Sequence, residues 1–398
     1  MVSAKNLKNK RRRIYFDHAA ATPVDPSVQA TMAPYFSEIF GNASSVHWSG
    51  RQALQAVDQA RAMVARFLRC QPHEIIFTAG GTESDNIVIQ GLARPGEHII
   101  TSKIEHPAIL ESCGAVAKRG VAITSLDVDR NGLINIAGLK QAIKKNTRLI
   151  SIMYVNNEIG TIQPIAEIGR LVKAVNSQRK KENLPLIYFH TDAVQAALYC
   201  PISVVALGVD LLSLSAHKIY GPKGIGVLYC RNNTPIMPIQ FGGSHEFSLR
   251  PGSLNVPGIV GLGRAIELLL NKKKVTAEAK RIKKLRDELI AGVRYCIPRA
   301  KINGDLKKRV VANAHFSFAG VDSENLLLLL DQAGIDASAG SACAAGSLQS
   351  SHVLAALGQN QLAPTGNLRI TLGKFNTQEE VRYFLTALVG VIKKLNKY

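Results

Sequence analysis

Ile75-Ile76-Phe77-Thr78-Ala79-Gly80-Gly81-Thr82-Glu83-Ser84-Asp85-Asn86 is the stretch from which the fold can be read. A short apolar run meets two glycines, and a helical pattern over 83–92 follows. Such a run, bounded by turn residues, reads as a strand buried on both faces. The glycines permit a tight turn, and Thr82 sits where the helix starts. Backbone N–H groups at that point make a place for a phosphate. Many glycine turns precede helices, so this reading draws its weight from its surroundings.

Outward from that stretch, apolar runs at 98–101, 149–155, 186–190, 211–215 and 226–230 read as further buried strands. Helix-like segments such as 83–92 and 165–175 lie between them. The alternation predicts an α/β domain with a mostly parallel sheet covered on both faces. The charged segment 177–185 reads as a short surface insertion. Beyond Val256 the pattern changes. Long helices are predicted over 259–270 and 277–293, then strands over 312–318 and 368–372 and helices over 323–332 and 377–395. This describes a smaller α+β domain, with the N-terminal residues packed on it. The expected division is a large domain at 16–258 and a small one from 1–15 and 259–398, the latter carrying a loop at about 337–350.

The bulk numbers set bounds. The chain has 398 residues, 46% hydrophobic and 20% charged, which excludes a fibrous or disordered protein. Its 49 basic and 29 acidic residues leave a formal charge of +20. The excess sits in Lys5, Lys8, Lys10, Arg11, Arg12 and Arg13 and in clusters at 272–274, 280–284 and 307–309. A basic surface attracts polyanions and acidic proteins. These clusters carry almost no interleaved aromatics and no nucleic-acid motif, so a nucleic-acid partner is not expected. No secretory pattern follows the N-terminal basic run, and no run approaches the ~20 apolar residues that span a bilayer. Cysteines stand at 70, 113, 200, 230, 296 and 343, none within four residues of another. That spacing offers no local metal-ligand set and no disulfide framework, so no metal and a cytoplasmic location are expected.

In open α/β sheets, ligands gather beyond the carboxyl ends of strands. Besides the 78–86 turn, three strand ends carry unusual polar residues: Glu105-His106, Asp192-Ala193-Val194-Gln195, and Ser215-Ala216-His217-Lys218-Ile219-Tyr220-Gly221. Each has a plain structural reading. A lone histidine is more often structural, Asp192 could be a helix N-cap, and Lys218 could be an exposed turn lysine. A lysine behind a buried strand instead suits covalent carbonyl chemistry. Taken in chain order, a phosphate turn, a histidine, an aspartate and a lysine describe a pyridoxal-phosphate site.

On these residues the chain resembles the cysteine desulfurases, of the fold-type I, class V aminotransferase-like superfamily. The similarity includes Tyr15-Phe16-Asp17-His18-Ala19-Ala20-Ala21-Thr22-Pro23, Val155-Asn156-Asn157-Glu158-Ile159-Gly160, Arg250-Pro251-Gly252-Ser253, Ser341-Ala342-Cys343 and Arg369-Ile370-Thr371-Leu372-Gly373. The resemblance implies that Lys218 carries pyridoxal phosphate and moves the substrate Cα proton. It implies that Asp192 pairs with the ring nitrogen and Gln195 with the ring hydroxyl. His106 would stack on the ring and is a second candidate for proton transfer. Gly81, Thr82, Ser215 and His217 would hold the phosphate. Ser253, where many relatives carry threonine, would reach the phosphate of a partner subunit in a homodimer with composite sites. Asn157 and Arg369 would bind the substrate carboxylate. Cys343 would take sulfur from L-cysteine as a persulfide, release alanine and pass the sulfur to an iron–sulfur scaffold or tRNA-thiolation protein. The surrounding 337–347 is made almost wholly of small residues, so a mobile loop is expected. It resembles the longer loop of the family, which implies direct delivery to an acceptor. Cys70, Cys113, Cys200, Cys230 and Cys296 are expected to be small buried hydrophobes. The rival readings are a selenocysteine lyase, a class V aminotransferase, or a non-catalytic basic binding protein on the same fold.

Overall fold

The computed structural model describes residues 13–340, 351–358 and 365–395. Its elements begin with β1 (Ile14–Tyr15), α1 (Pro26–Met32), α2 (Pro34–Ser37), α3 (Trp48–Leu68), β2 (Ile75–Thr78), α4 (Gly81–Leu92), β3 (His98–Ser102), α5 (Pro107–Ala117) and β4 (Ala122–Leu126). They continue through α6 (Ile136–Ala142), β5 (Thr147–Ser151), α7 (Ile165–Lys181), β6 (Tyr188–Asp192), α8 (Val204–Leu207), β7 (Leu211–Ser215), β8 (Gly226–Cys230), α9 (Val256–Leu270) and α10 (Lys272–Cys296). The remainder are β9 (Lys301–Ile302), β10 (Asn313–Ala319), α11 (Ser323–Gln332), β11 (Ile335–Asp336), α12 (His352–Ala356), β12 (Thr365–Thr371) and α13 (Gln378–Leu395).

Two compact units result. The larger comprises Thr22–Asn156 and Thr161–Val275. The smaller takes Asn157–Gly160 and the described residues of Met1–Ala21 and Thr276–Tyr398. These limits differ from the division expected at 15/16 and 258/259. Helix α9 packs on α3 and α1, so the larger unit extends through it. The approach is close: a Cβ on Gly263 would lie 2.8 Å from Ala60 Cβ. Residues 16–21 join the smaller unit because Asp17 bridges Thr371 and the Thr371 N–H donates to Phe16 O at 2.7 Å.

The larger unit is built on a seven-stranded sheet in the order β2-β8-β7-β6-β5-β3-β4. Strands β4, β3, β5, β6 and β7 pair in parallel, while β8 is antiparallel to both β7 and β2. Two antiparallel pairings in succession leave β2 pointing the same way as β7. The carboxyl ends of β2, β3, β6 and β7 therefore leave the sheet along one edge. The central strands are buried on both faces, and β2, β7 and β8 are buried at every residue.

Three local readings change. β5 ends at Ser151 rather than 155, because Val155 is taken up in a bridge with Ile162. β6 runs two residues later than expected, which makes Asp192 its last residue. The charged 177–185 segment is not simply a surface insertion, since its first five residues are the last turn of α7. Arg179 there is buried and donates to the carbonyls of Lys144, Lys145, Thr147 and Pro185.

In the smaller unit, β12, β10 and β9 form an antiparallel sheet, and β1 pairs with β11. Helix α10 buries Ile282, Leu285, Leu289 and Val293, a 3–4 spacing that puts one stripe against the interior. Cys296, at its last residue, is exposed rather than buried although it continues that spacing, and Cys70 and Cys200 are half-buried rather than buried. Among the described residues no helix is long and apolar enough to cross a membrane.

Candidate active site

The 79–82 turn opens α4 from the edge where β2 ends. Gly80 occupies the N-cap and offers no side chain to the first helical N–H groups. A helix start that lacks an internal acceptor favours an anion there. The surroundings leave little room for larger side chains. A Cβ on Gly81 would stand 2.7 Å from Val194 Cγ2, and one on Gly226 would stand 2.6 Å from Gly80 Cα. A Cβ on Gly80 would be 3.6 Å from Ser215 Oγ. The turn after β2 thus lies against the segments that follow β6 and β7. Glu83, in the first turn of α4, accepts from the Ala79 N–H and from Arg250 Nε, the latter at 3.1 Å.

Ser215 ends β7, and its hydroxyl is 2.8 Å from His217 Nδ1. Lys218 closes the 3₁₀ turn Ala216–Lys218 and is half-buried. Burial lowers the His217 pKa to about 4, and Lys218 and Lys223 add to that shift. Asp192 is buried at the end of β6, where its Oδ1 accepts from the Val194 N–H at 2.9 Å. Burial pushes its carboxyl up, while His106 and Lys218 pull it back toward the charged form. His106 is the N-cap of α5, and its Nδ1 accepts from the Ala108 N–H at 3.1 Å. An accepting Nδ1 leaves Nε2 as the protonated nitrogen of the neutral ring.

Gly81, Thr82, Ser215, His217, Lys218, Asp192 and His106 therefore share one edge of one sheet. Gln195 is half-buried beyond Val194, and Ser253 is exposed two residues before the N-cap of α9. The donor set can hold a phosphate at the α4 start and a protonated ring nitrogen at Asp192, with the amine of Lys218 on the same edge.

Asn157 and Arg369 meet in the smaller unit, but through the main chain of Asn157. Arg369 is 1% exposed; its Nη1 donates to Asn157 O at 3.0 Å and its Nη2 to Asp17 Oδ1 at 2.7 Å. Cys343 lies outside the described residues.

Two contributors had no assigned role in the sequence. Asp17 is one. The other is Thr22, which brackets Lys218: its Oγ1 donates to His217 O at 2.9 Å and accepts from the Tyr220 N–H at 2.8 Å. Only the quoted motif around Thr22 hinted at importance, because its partners lie about 195 residues away. Thr22→Val keeps the shape but removes the hydrogen bonds of Oγ1 with His217 O and the Tyr220 N–H, so a loss of roughly 1–3 kcal/mol is expected. Denaturant unfolding should show it as a lowered midpoint, and cofactor should be retained less tightly.

The class-V aminotransferase family model matches residues 14–384. The cysteine desulfurase IscS of Dictyoglomus turgidum is 46% identical, over 97% of this chain and 96% of that protein. The cysteine desulfurase IscS of Methanosarcina thermophila is 45% identical, over 98% and 95%. A solved NifS-like protein superposes with a TM-score of 0.87 at 36% identity, over 96% of this chain and 100% of that one. With its lysine, aspartate and glycine turn on one sheet edge and this likeness over nearly its full length, the chain belongs to the class-V aminotransferase family and, within it, to the pyridoxal-phosphate-dependent cysteine desulfurases.

Proposed function

We propose that this protein converts L-cysteine to L-alanine, holds the sulfur as a persulfide on Cys343 and delivers it to an acceptor protein for iron–sulfur assembly or tRNA thiolation. The observation that carries the reading is the placement of the open α4 start, Asp192 and Lys218 along one edge of the sheet. Bound there, pyridoxal phosphate supplies the electron sink that lets the Cα proton leave and the Cβ–S bond break. Gly81 and Thr82 N–H groups, Ser215 and His217 hold the phosphate. Asp192 keeps the ring nitrogen protonated, and Gln195 meets the ring hydroxyl. Lys218 holds the cofactor and moves the Cα proton, and His106 covers the ring face. Asn157 and Arg369 take the substrate carboxylate, where a guanidinium fork suits a planar anion. The Cys343 thiolate attacks the substrate sulfur, so an S–S bond forms as the Cβ–S bond breaks, and the carbon takes a proton.

Burial supports giving the sulfur step to Cys343. It pushes the thiols of Cys70, Cys113, Cys200 and Cys230 up to about 12, which leaves them un-ionised at neutral pH. A homodimer in which Ser253 serves the partner's phosphate is part of the proposal. Exposed Phe36, Phe40, Val46 and Trp48 in one short stretch, with Phe241 and Phe247 near Ser253 in sequence, support a covered surface there. A cytoplasmic location, with reduced thiols, completes the reading.

The test is a mass balance. With pyridoxal phosphate and a thiol reductant, the protein should release alanine and sulfide from L-cysteine in equal amounts. Absence of sulfide would overturn the assignment. Faster turnover of selenocysteine would move it to the lyase, and amino-group transfer to a keto acid without sulfide would move it to the aminotransferase.

A further inference from the structure

Glu158 is a buried carboxylate of the smaller unit that the reaction above does not use. It is 0% exposed and belongs to the segment Asn157–Gly160. Its Oε2 accepts from the Ser351 hydroxyl at 2.6 Å. A Cβ built on Gly340 would stand 2.7 Å from the same Oε2 and 3.1 Å from Glu158 Cδ, so the Gly340 backbone packs directly on this carboxyl group. Gly340 and Ser351 are the residues on either side of 341–350, the segment that contains Cys343. One carboxyl group thus touches both ends of it.

That carboxyl group is itself well held. Asn313 Nδ2 donates to Glu158 O at 2.8 Å, and the Val310 N–H donates to Gly160 O at 2.9 Å. Gly160 has φ 72°, and a Cβ there would meet Asn313 Oδ1 at 2.7 Å, so the segment fits against β10 only with glycine. The preceding residue, Asn157, accepts from Arg369. Arg369 in turn exchanges main-chain hydrogen bonds with Ser338, two residues before Gly340. Ser351 also accepts from the Leu354 N–H at 3.2 Å as the N-cap of α12, so its hydroxyl links the carboxyl group to a helix start. Burial pushes the Glu158 carboxyl up, and Ser351, His352 and Arg369 oppose that.

We propose that Glu158 is a positioning residue for sulfur transfer: it ties Gly340 and Ser351, the described residues that flank 341–350, to the chain that holds Arg369, and through them acts on the step assigned to Cys343. The proposal rests on the reading of Cys343 as the sulfur-accepting thiol. A misplacement of about 1 Å can cost on the order of 10²-fold in rate.

Stopped-flow absorbance of the holoenzyme reads the first encounter of cysteine with the cofactor. Cyanolysis of the quenched protein reads persulfide formation. Glu158→Ala should slow persulfide formation by on the order of 10²-fold, while the cysteine-dependent absorbance change keeps its rate within about threefold. Glu158→Gln, which can still accept from Ser351, should restore most of the persulfide rate. Ser351→Ala, which removes one of the two contacts, should show a smaller loss on the same step, and it carries the test if Glu158→Ala does not fold. Equal slowing of both steps, or no slowing of persulfide formation in either alanine variant, would overturn the proposal. Cys343→Ser run alongside separates the two ideas. Persulfide formation that survives in it refutes the role of Cys343, whereas its loss together with unimpaired Glu158→Ala and Ser351→Ala refutes only the role of Glu158.

Discussion

Sulfide release from L-cysteine should fall to background in Cys343→Ser while the protein keeps its bound-cofactor absorbance, and Lys218→Ala should lose both. Serine is nearly isosteric with cysteine but is a far poorer nucleophile at neutral pH, so the sulfur-accepting step has no substitute. The four cysteines whose thiols are pushed up cannot stand in. With thiols near 12, Cys70, Cys113, Cys200 and Cys230 are ionised to on the order of one part in 10⁴ or less near pH 7.5. Cys296 is exposed, so Cys296→Ser is the control and should leave turnover unchanged. Lys218 sits on a turn fixed from both sides by Thr22, and no other amine is placed in that turn. Under the proposed assignment its loss would remove both the covalent attachment point and the proton carrier, and proton transfer alone contributes about 10²–10⁴-fold. Undiminished sulfide from Cys343→Ser would end the sulfur half of the reading. A native protein that is colourless and cannot be reconstituted with pyridoxal phosphate would end the cofactor half.

The strands near the site were legible because their chemistry is local. Residues 211–215 and 226–230 are largely apolar runs ended by polar or glycine residues, and β7 and β8 have those bounds. The sharp features at their ends, Asp192, Lys218 and the Gly80-Gly81 pair, were visible for the same reason. Helix α3 was missed although it is 21 residues long. Its buried face is Ala53, Ala56, Val57, Ala60 and Val64, small residues that bring α9 close but give a weak apolar pattern. Strand β4 was missed because it is an edge strand, with Ala122 and Ser125 exposed. The contacts of Thr22, Asp17 and Glu158 join positions far apart in sequence, and no periodicity within one segment can show them. Arg179 reads as one more surface cation, and only the carbonyls gathered around it reveal a buried one.

Glu105 should make the protein less stable, relative to Glu105→Gln, as the pH rises. The side chain is 0% exposed behind β3, where its Oε1 accepts from the Ser102 hydroxyl at 2.6 Å and both oxygens stand 3.0 Å from the Met153 nitrogen. Burial dominates these bonds and raises the carboxyl from 4.5 to about 8, with Asp192 adding to the rise. A raised carboxyl binds its proton more tightly in the folded state. Its stabilising contribution is therefore fully present below 4.5 and is lost as the pH climbs through about 8. One pH unit corresponds to about 1.4 kcal/mol, so the difference between the native protein and Glu105→Gln should change by roughly 4–5 kcal/mol across that window. The comparison has to be a difference. Burial lowers His98 to about 4 and His190 and His315 to about 3. Their contribution is present above 6.5 and is lost as the pH falls, so it opposes that of Glu105 over part of the range. Both proteins contain these histidines, and their effect cancels. Unfolding midpoints of the two proteins between pH 5 and 8.5 would check this, and curves that stay parallel would refute it. The expected divergence also bears on the site. Glu105 and Asp192 repel when both are charged, so a neutral Glu105 next to His106 favours the ionised Asp192 that the proposed pairing with a ring nitrogen would use.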